Sequence, residues 1–101
     1  MSTPSAVRPD NNTPVKFELQ QNYPNPFNPT TSIAFTIPRA ANTSLKVFNM
    51  LGQEVATLVN EFTTAGSHDV RFNATGLASG VYFYRLTSGD LTQIKKMSLV
   101  K

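Results

Sequence analysis

The residue types that could support enzyme chemistry are few in this sequence and stand apart. His68 is the only histidine, and it lies between Ser67 and Asp69. Serine, histidine and aspartate form the catalytic triad of many hydrolases, but neighbouring residues on a strand point to opposite faces and cannot converge. We therefore expect His68 to be a solvent-facing residue at the start of a strand.

The acidic residues and the missing cysteines narrow the chemistry further. Without cysteine the chain can form no disulfide, thiolate metal site or cysteine nucleophile. Only distant loops could assemble a metal site, because the carboxylates are too scattered for a glycosidase pair or a calcium loop. We expect no catalytic residue, no bound metal, no cofactor and no enzyme activity. The carboxylates are Asp10, Glu18, Glu54, Glu61, Asp69 and Asp90.

The bulk composition fits one small domain. A chain of 101 residues can bury a single core. Its nine Lys and Arg residues are scattered and give a net charge of only +3, so we expect no nucleic-acid partner. No apolar run approaches the roughly 20 residues that a membrane-spanning helix needs, and we expect no transmembrane segment.

The distribution of proline separates a proline-containing front part of the sequence from the main body that follows it. All seven prolines lie at or before Pro38. Residues 1–14 have no apolar periodicity and are typical of a flexible linker. We place the domain at residues 15–101.

The body alternates apolar and polar residues in short runs that end at Gly, Asn, Asp or Ser, which is typical of an all-β fold. Ile33, Phe35 and Ile37 share one face of the first clear run, and Pro38 ends it. The regular spacing predicts a seven-stranded immunoglobulin-like antiparallel β-sandwich. The predicted strands cover residues 17–20, 31–37, 44–50, 54–59, 67–73, 80–87 and 91–100.

Three details of these strands are uncertain or specific enough to test. Val55 and Leu58 are spaced as on a helix, although the β-branched residues around them favour a strand. We expect Gly52 to take a positive φ in the turn before them. Tyr82 is predicted to anchor its hydroxyl to upstream backbone at a corner of the sandwich.

The last two strands should form a hairpin. The run 80–87 is predicted to be a central strand, and residues 88–90 have the composition of a turn. The final strand should end freely at a sheet edge, with Ile94, Met97 and Leu99 supplying apolar contacts.

One segment near the front exceeds what a generic sandwich requires. Its prolines fix φ and hold the preceding residues extended, so it should form a stiff crossing between strands. We expect Tyr23 and Phe27 to insert as anchors, and the asparagines to bond backbone groups that proline cannot. The segment is the centre of a motif at residues 19–31 and reads Asn22, Tyr23, Pro24, Asn25, Pro26, Phe27, Asn28 and Pro29.

This segment and four later ones, in order, resemble the C-terminal sorting domain of type IX secretion cargo. The later segments are residues 33–38, 45–55, 65–66 and 77–86, and the basic and apolar ending at 95–101 is also similar to the family. The resemblance covers about residues 17–101. It implies an immunoglobulin-like sandwich, similar also to the domain of flagellar hook-capping proteins.

The resemblance also implies the partners. The domain would follow a fused cargo that passes through the periplasm and ends at the outer-membrane surface or outside the cell. An outer-membrane translocon or shuttle protein would recognise the folded domain, and a sortase-like peptidase would remove it. Cleavage would fall in the flexible linker, before about Val15. The best-matched recognition candidates are Lys95, Lys96, Met97, Leu99, Val100 and Lys101, with Gly80, Val81, Tyr82 and Tyr84.

The terminal strand is the expected handle, because a free edge offers backbone groups to which a partner can add a strand. Lys95 and Lys96 either steer an acidic partner or only keep this edge soluble. We expect a monomer.

Two other functions fit the same fold. A carbohydrate-binding or adhesive module would use exposed aromatic residues, to which Tyr82 and Tyr84 could contribute. A structural spacer would instead use the terminal edge strand for self-assembly.

Overall fold

The computed structural model describes residues 16–101, which form seven β-strands and no helix. The linker predicted at residues 1–14, the domain start at Val15 and the suggested cleavage region lie outside this range. The strands are β1 (Glu18–Leu19), β2 (Thr30–Ile37), β3 (Ala41–Phe48), β4 (Glu54–Thr63), β5 (Gly66–Asn73), β6 (Gly80–Ser88) and β7 (Leu91–Leu99).

The strands form two antiparallel sheets that pack face to face. One sheet has the order β1-β2-β5, and the other has the order β4-β3-β6-β7. This arrangement is that of an immunoglobulin-like sandwich, so the predicted fold class is confirmed. As predicted, β6 is a central strand and β7 lies at the edge of its sheet.

The core lies between the sheets because alternate residues of each strand turn inward. In β2, Ile33, Phe35 and Ile37 are buried, as the sequence pattern predicts. Their partners from the four-stranded sheet include Leu45, Val47, Tyr84, Leu86 and Met97, all completely buried.

Two β-bulges explain the helix-like spacing in the fourth strand. The pairing of β4 with β3 shifts register twice, and Val55 and Leu58 are the residues left without a partner on β3. Each bulge adds one residue and so changes which side chains face inward. The predicted strand is therefore correct, and its apparent helical period comes from the bulges.

The turn from β3 to β4 begins earlier and is longer than the sequence pattern indicates. Gly52 has φ of 83°, as predicted. The side-chain oxygen of Asn49 accepts hydrogen bonds from the amides of Leu51 (2.9 Å) and Gln53 (3.0 Å). Because Asn49 belongs to the turn, β3 ends at Phe48, whereas the predicted run continued to residue 50.

Candidate recognition surface around the terminal strand

The recognition candidates on β7 divide between its two faces. Met97 and Leu99 turn into the core and are completely or almost completely buried. Lys96, Val100 and Lys101 are exposed, and Lys95 is half-buried. Only the exposed members can contact a partner without opening the sandwich.

Ile94 is predicted to supply apolar contacts together with Met97 and Leu99, but it does not reach the core. Its side chain is 60% exposed on the outer face of the four-stranded sheet. Met97 and Leu99 share the other face, and Ile94 has the opposite parity along an alternating strand. It therefore contributes an apolar side chain to the surface.

The proline-rich segment closes the edge of the terminal strand. The Phe27 amide donates to the Ser98 carbonyl, and the Val100 amide donates to the Phe27 carbonyl, both at 2.9 Å. These bonds form a parallel bridge between Phe27 and Leu99. The Asn25 side chain accepts from the Ser98 amide at 3.0 Å. The prediction that the terminal strand ends freely is therefore wrong, and strand addition at this end of β7 would require these bonds to break.

Two glutamines extend the closure along the same edge. Gln21 donates from its side chain to the Lys96 carbonyl at 2.8 Å. The side chain of Gln93 accepts from the Leu19 amide at 2.8 Å and donates to the Phe17 carbonyl at 3.2 Å. Residues 17–21, which precede the proline-rich segment, are thus hydrogen-bonded to the terminal strand at Gln93 and Lys96. Sequence reasoning missed both residues, because their partners lie more than seventy positions away.

Of the two predicted anchors in the proline-rich segment, only Phe27 is buried. Phe27 is 1% exposed and packs against Phe72 with 6.1 Å between ring centroids. Tyr23 is 82% exposed, so the prediction that it inserts is wrong. Its backbone is nevertheless held, because it exchanges two hydrogen bonds with Ser32. This pairing turns the Tyr23 side chain outward.

The asparagine at the start of the segment bonds as expected. Asn22 is buried and donates from its side chain at 3.0 Å to both the Pro24 carbonyl and the Thr31 hydroxyl. The backbone amide of Asn22 donates to the Tyr84 hydroxyl, which in turn donates to the Gln20 carbonyl, both at 2.8 Å. Burial raises the pKa of Tyr84 to about 12. Tyr84 therefore holds the start of the segment against the core through these two hydrogen bonds.

Tyr82 and Tyr84 are both buried, at 6% and 0% exposure. They cannot form the exposed aromatic platform that carbohydrate binding would require. Gly80 is exposed and Val81 is half-buried beside them, so these two are the accessible members of the β6 motif.

The outer face of the four-stranded sheet carries a groove of about 450 Å³ that sequence reasoning did not find. Arg85 crosses it with its guanidinium 4.7 Å from the centroid of the Phe48 ring. At the rim, Lys46 and Glu54 form an ion pair at 3.6 Å. A hydrogen bond from Thr57 and the nearby ammonium of Lys46 hold the pKa of Glu54 below its usual value. The lining residues are Phe48, Asn49, Met50, Gly52, Phe83, Arg85 and Ile94.

The described residues contain no cluster of three or more histidine, cysteine or acidic side chains that could hold a metal. His68 is half-buried rather than solvent-facing, because its ring stacks on Phe35 at 5.3 Å. Its Nε2 bonds the Thr64 carbonyl at 2.7 Å. Asp69 points to the opposite face, as the strand alternation predicts.

The sequence profile described as the secretion system C-terminal sorting domain matches residues 21–100. The chain belongs to this family. The resemblance inferred from the motifs is therefore confirmed. This sorting domain contains the proline-rich segment, the corner at Tyr82 and the terminal strand within the matched range.

Solved structures with similar folds include a part of PorZ from Porphyromonas gingivalis, which is described as an essential bacterial surface component of the type-IX secretion system. The likeness has a TM-score of 0.59 at 22% identity, and it covers 80% of this chain but only 11% of PorZ. The Ig1 domain of mouse SynCAM 2 has a TM-score of 0.41 at 16% identity, covering 71% of this chain and 81% of that one. No curated protein matches the sequence. No helix among residues 16–101 is long and apolar enough to cross a bilayer.

The corner of the sorting domain yields a first test. The Tyr82 hydroxyl donates to the Ala78 carbonyl at 2.6 Å, as predicted for a tyrosine corner. Replacing Tyr82 with phenylalanine should lower the free energy of unfolding by about 1 kcal/mol, because one partly buried hydrogen bond is lost. Urea unfolding would measure the change. Tyr23→Phe is the matched control and should have no effect, since Tyr23 is exposed; equal stability of Tyr82→Phe and the parent would contradict the prediction.

Proposed function

We propose that this sorting domain directs a cargo fused ahead of it across the outer membrane by type IX secretion and to the cell surface. The observation that carries the proposal is the junction of the two most characteristic segments. The proline-rich segment and the terminal strand, far apart in sequence, bond directly through Asn25, Phe27, Ser98 and Val100. One folded end of the domain therefore presents both.

We infer that the machinery contacts the exposed residues at this end. Lys96, Val100 and Lys101 project from β7 and its end, and Tyr23 projects from the segment that covers its edge. Met97, Leu99, Tyr82 and Tyr84 would contribute by holding this end in shape. The lysines favour an acidic docking site, because complementary charge speeds encounter between proteins.

The partners in this proposal are an outer-membrane translocon or shuttle protein and a sortase-like peptidase. The cargo would enter the periplasm before the domain is recognised, and it would finish on the outer-membrane surface or be secreted. We expect the domain to act as a monomer and to have no catalytic role of its own.

A reporter carrying the domain at its C-terminus tests the proposal in a bacterium with type IX secretion. Deleting residues 95–101 should leave the reporter in the periplasm, because this removes the exposed lysines and two core residues together. Surface labelling and cell fractionation would locate the reporter. Surface export equal to that of the parent would refute the assignment.

A second pair of variants separates surface recognition from loss of the fold. Changing Lys96 and Lys101 to glutamate leaves the core intact and should reduce surface display several-fold. The matched control changes Lys16 and Arg39, both exposed toward the opposite end of the sandwich, to glutamate and should be displayed normally. If both pairs are displayed equally, the lysines only maintain solubility.

A further inference from the structure

The outer groove of the four-stranded sheet is apolar where a solvent-facing sheet is usually polar. Phe48 on β3 and Phe83 on β6 are paired directly across the sheet, and both are half-buried. Met50 and Ile94 flank them and are 66% and 60% exposed. A concave apolar patch on a small domain is typical of a binding site.

The groove also contains Arg85, a cation that forms no direct ion pair with a described residue, although its charge acts on the nearby Glu54 carboxylate. The ion pair within residues 16–101 joins Lys46 to Glu54, and Arg85 has no carboxylate oxygen within 4.0 Å in that range. The guanidinium carbon of Arg85 lies over the Phe48 ring, so a cation–π contact holds the side chain on this face. A guanidinium group can bind a carboxylate through two parallel hydrogen bonds.

Strand register sets apolar and basic side chains in two adjacent rows across this face. One row places Lys46, Arg85 and Ile94 side by side, and the next places Phe48, Phe83 and Lys96 side by side. The face therefore has three cations against the single carboxylate of Glu54. Its charge is complementary to an acidic partner with apolar side chains.

We propose that this groove binds an extended segment of a protein partner in which a large apolar side chain is flanked by carboxylates. The apolar side chain would enter between Phe83 and Ile94, and one carboxylate would bind Arg85. The inference rests on the proposed function, because the segment would belong to the export machinery. A second copy fits less well, since a symmetric dimer would pack this face, with its three cations, against the same cationic face of the other copy.

Short synthetic peptides test the charge requirement directly on the 101-residue chain. A peptide that alternates glutamate with leucine should shift the NMR signals of Phe48, Arg85 and Ile94, whereas one that alternates lysine with leucine should not. Arg85→Glu should weaken binding of the acidic peptide by roughly fivefold, because an attraction becomes a repulsion. The same variant should allow the basic peptide to bind. Equal binding of both peptides to the parent would overturn the proposal.

Matched variants localise the binding to the groove. Arg71→Glu makes the same charge change on the other sheet and should leave acidic-peptide binding intact. Ile94→Ser should weaken it without changing charge, whereas Leu91→Ser on the same strand should not. Groove signals that shift with protein concentration alone would identify a second copy as the occupant and contradict the proposal.

Export separates this inference from the proposed function. Reporter fusions with Arg85→Glu or Ile94→Ser should reach the surface in amounts reduced several-fold relative to Arg39→Glu. If the deletion of residues 95–101 blocks export while these two variants export normally, the groove inference fails and the sorting function stands. If the deletion also exports normally, the sorting function itself fails.

Discussion

Replacing Phe27 with alanine should destabilise the sorting domain by about 3–5 kcal/mol, the usual loss when a buried phenylalanine is truncated. Phe27 is 1% exposed, and its ring packs against Phe72 in the core. It is also the residue whose backbone bridges to Ser98 and Val100. The substitution therefore removes a core side chain at the point where the front of the domain holds its last strand.

Urea unfolding followed by far-UV circular dichroism would measure this loss. Tyr23→Ala is the matched control, because it truncates an aromatic residue of the same segment that is 82% exposed. We expect that control to change stability by no more than about 0.5 kcal/mol. Similar losses for the two variants would mean that Phe27 is not the anchor of the segment.

Hydrogen exchange can follow the consequence for the terminal strand. The Val100 amide is protected by the Phe27 carbonyl, and the Ser98 amide by the Asn25 side chain. Both amides should exchange faster in Phe27→Ala than global destabilisation alone explains, because the bonds form at the periphery of the sheet. The amide of Tyr84 in the central strand is a reference for global opening.

The strands that sequence reasoning located best are those with strict alternation. In β2 and β6 every second residue is buried without interruption, so the period of two is visible in the sequence. In β4 the two bulges break that period, and the residues they insert, Val55 and Leu58, imitate a helical face. Local patterns reveal a strand only while its pairing register stays constant.

The candidate site was less accessible to sequence reasoning because its contacts are distant in the chain. The motif marked Tyr23 and Phe27 as equivalent aromatic residues. Their different fates depend on Ser32, which pairs with Tyr23, and on Phe72, which packs on Phe27. The groove has the same origin, since Phe48, Arg85 and Ile94 meet only through the register of three strands.

Removing the Tyr84 hydroxyl should also lower the stability of the domain, and the pH dependence of this loss identifies the hydroxyl as its cause. Its hydroxyl accepts from the Asn22 amide and donates to the Gln20 carbonyl inside the sandwich. Tyr84→Phe leaves both groups without this partner and should lower the free energy of unfolding at pH 7 by about 1–3 kcal/mol. Gln20 precedes the proline-rich segment and Asn22 begins it, so the attachment of the segment should loosen as well.

The alkaline limb of the stability curve distinguishes this bond from a simple packing change. The folded-state pKa of Tyr84 is about 12, and that of a tyrosine in the unfolded chain is about 10. The unfolded state therefore loses its proton first, so the stabilisation is complete below about pH 10 and is lost as the pH rises toward 12. Urea unfolding would measure the free energy of unfolding of the parent and of Tyr84→Phe at pH 7 and at pH 11. We expect the difference between the two proteins to be smaller at pH 11. Both proteins contain the same lysines, so the titration of lysine cancels in this difference. A difference that is the same at both pH values would show that the Tyr84 hydroxyl does not hold the segment in place.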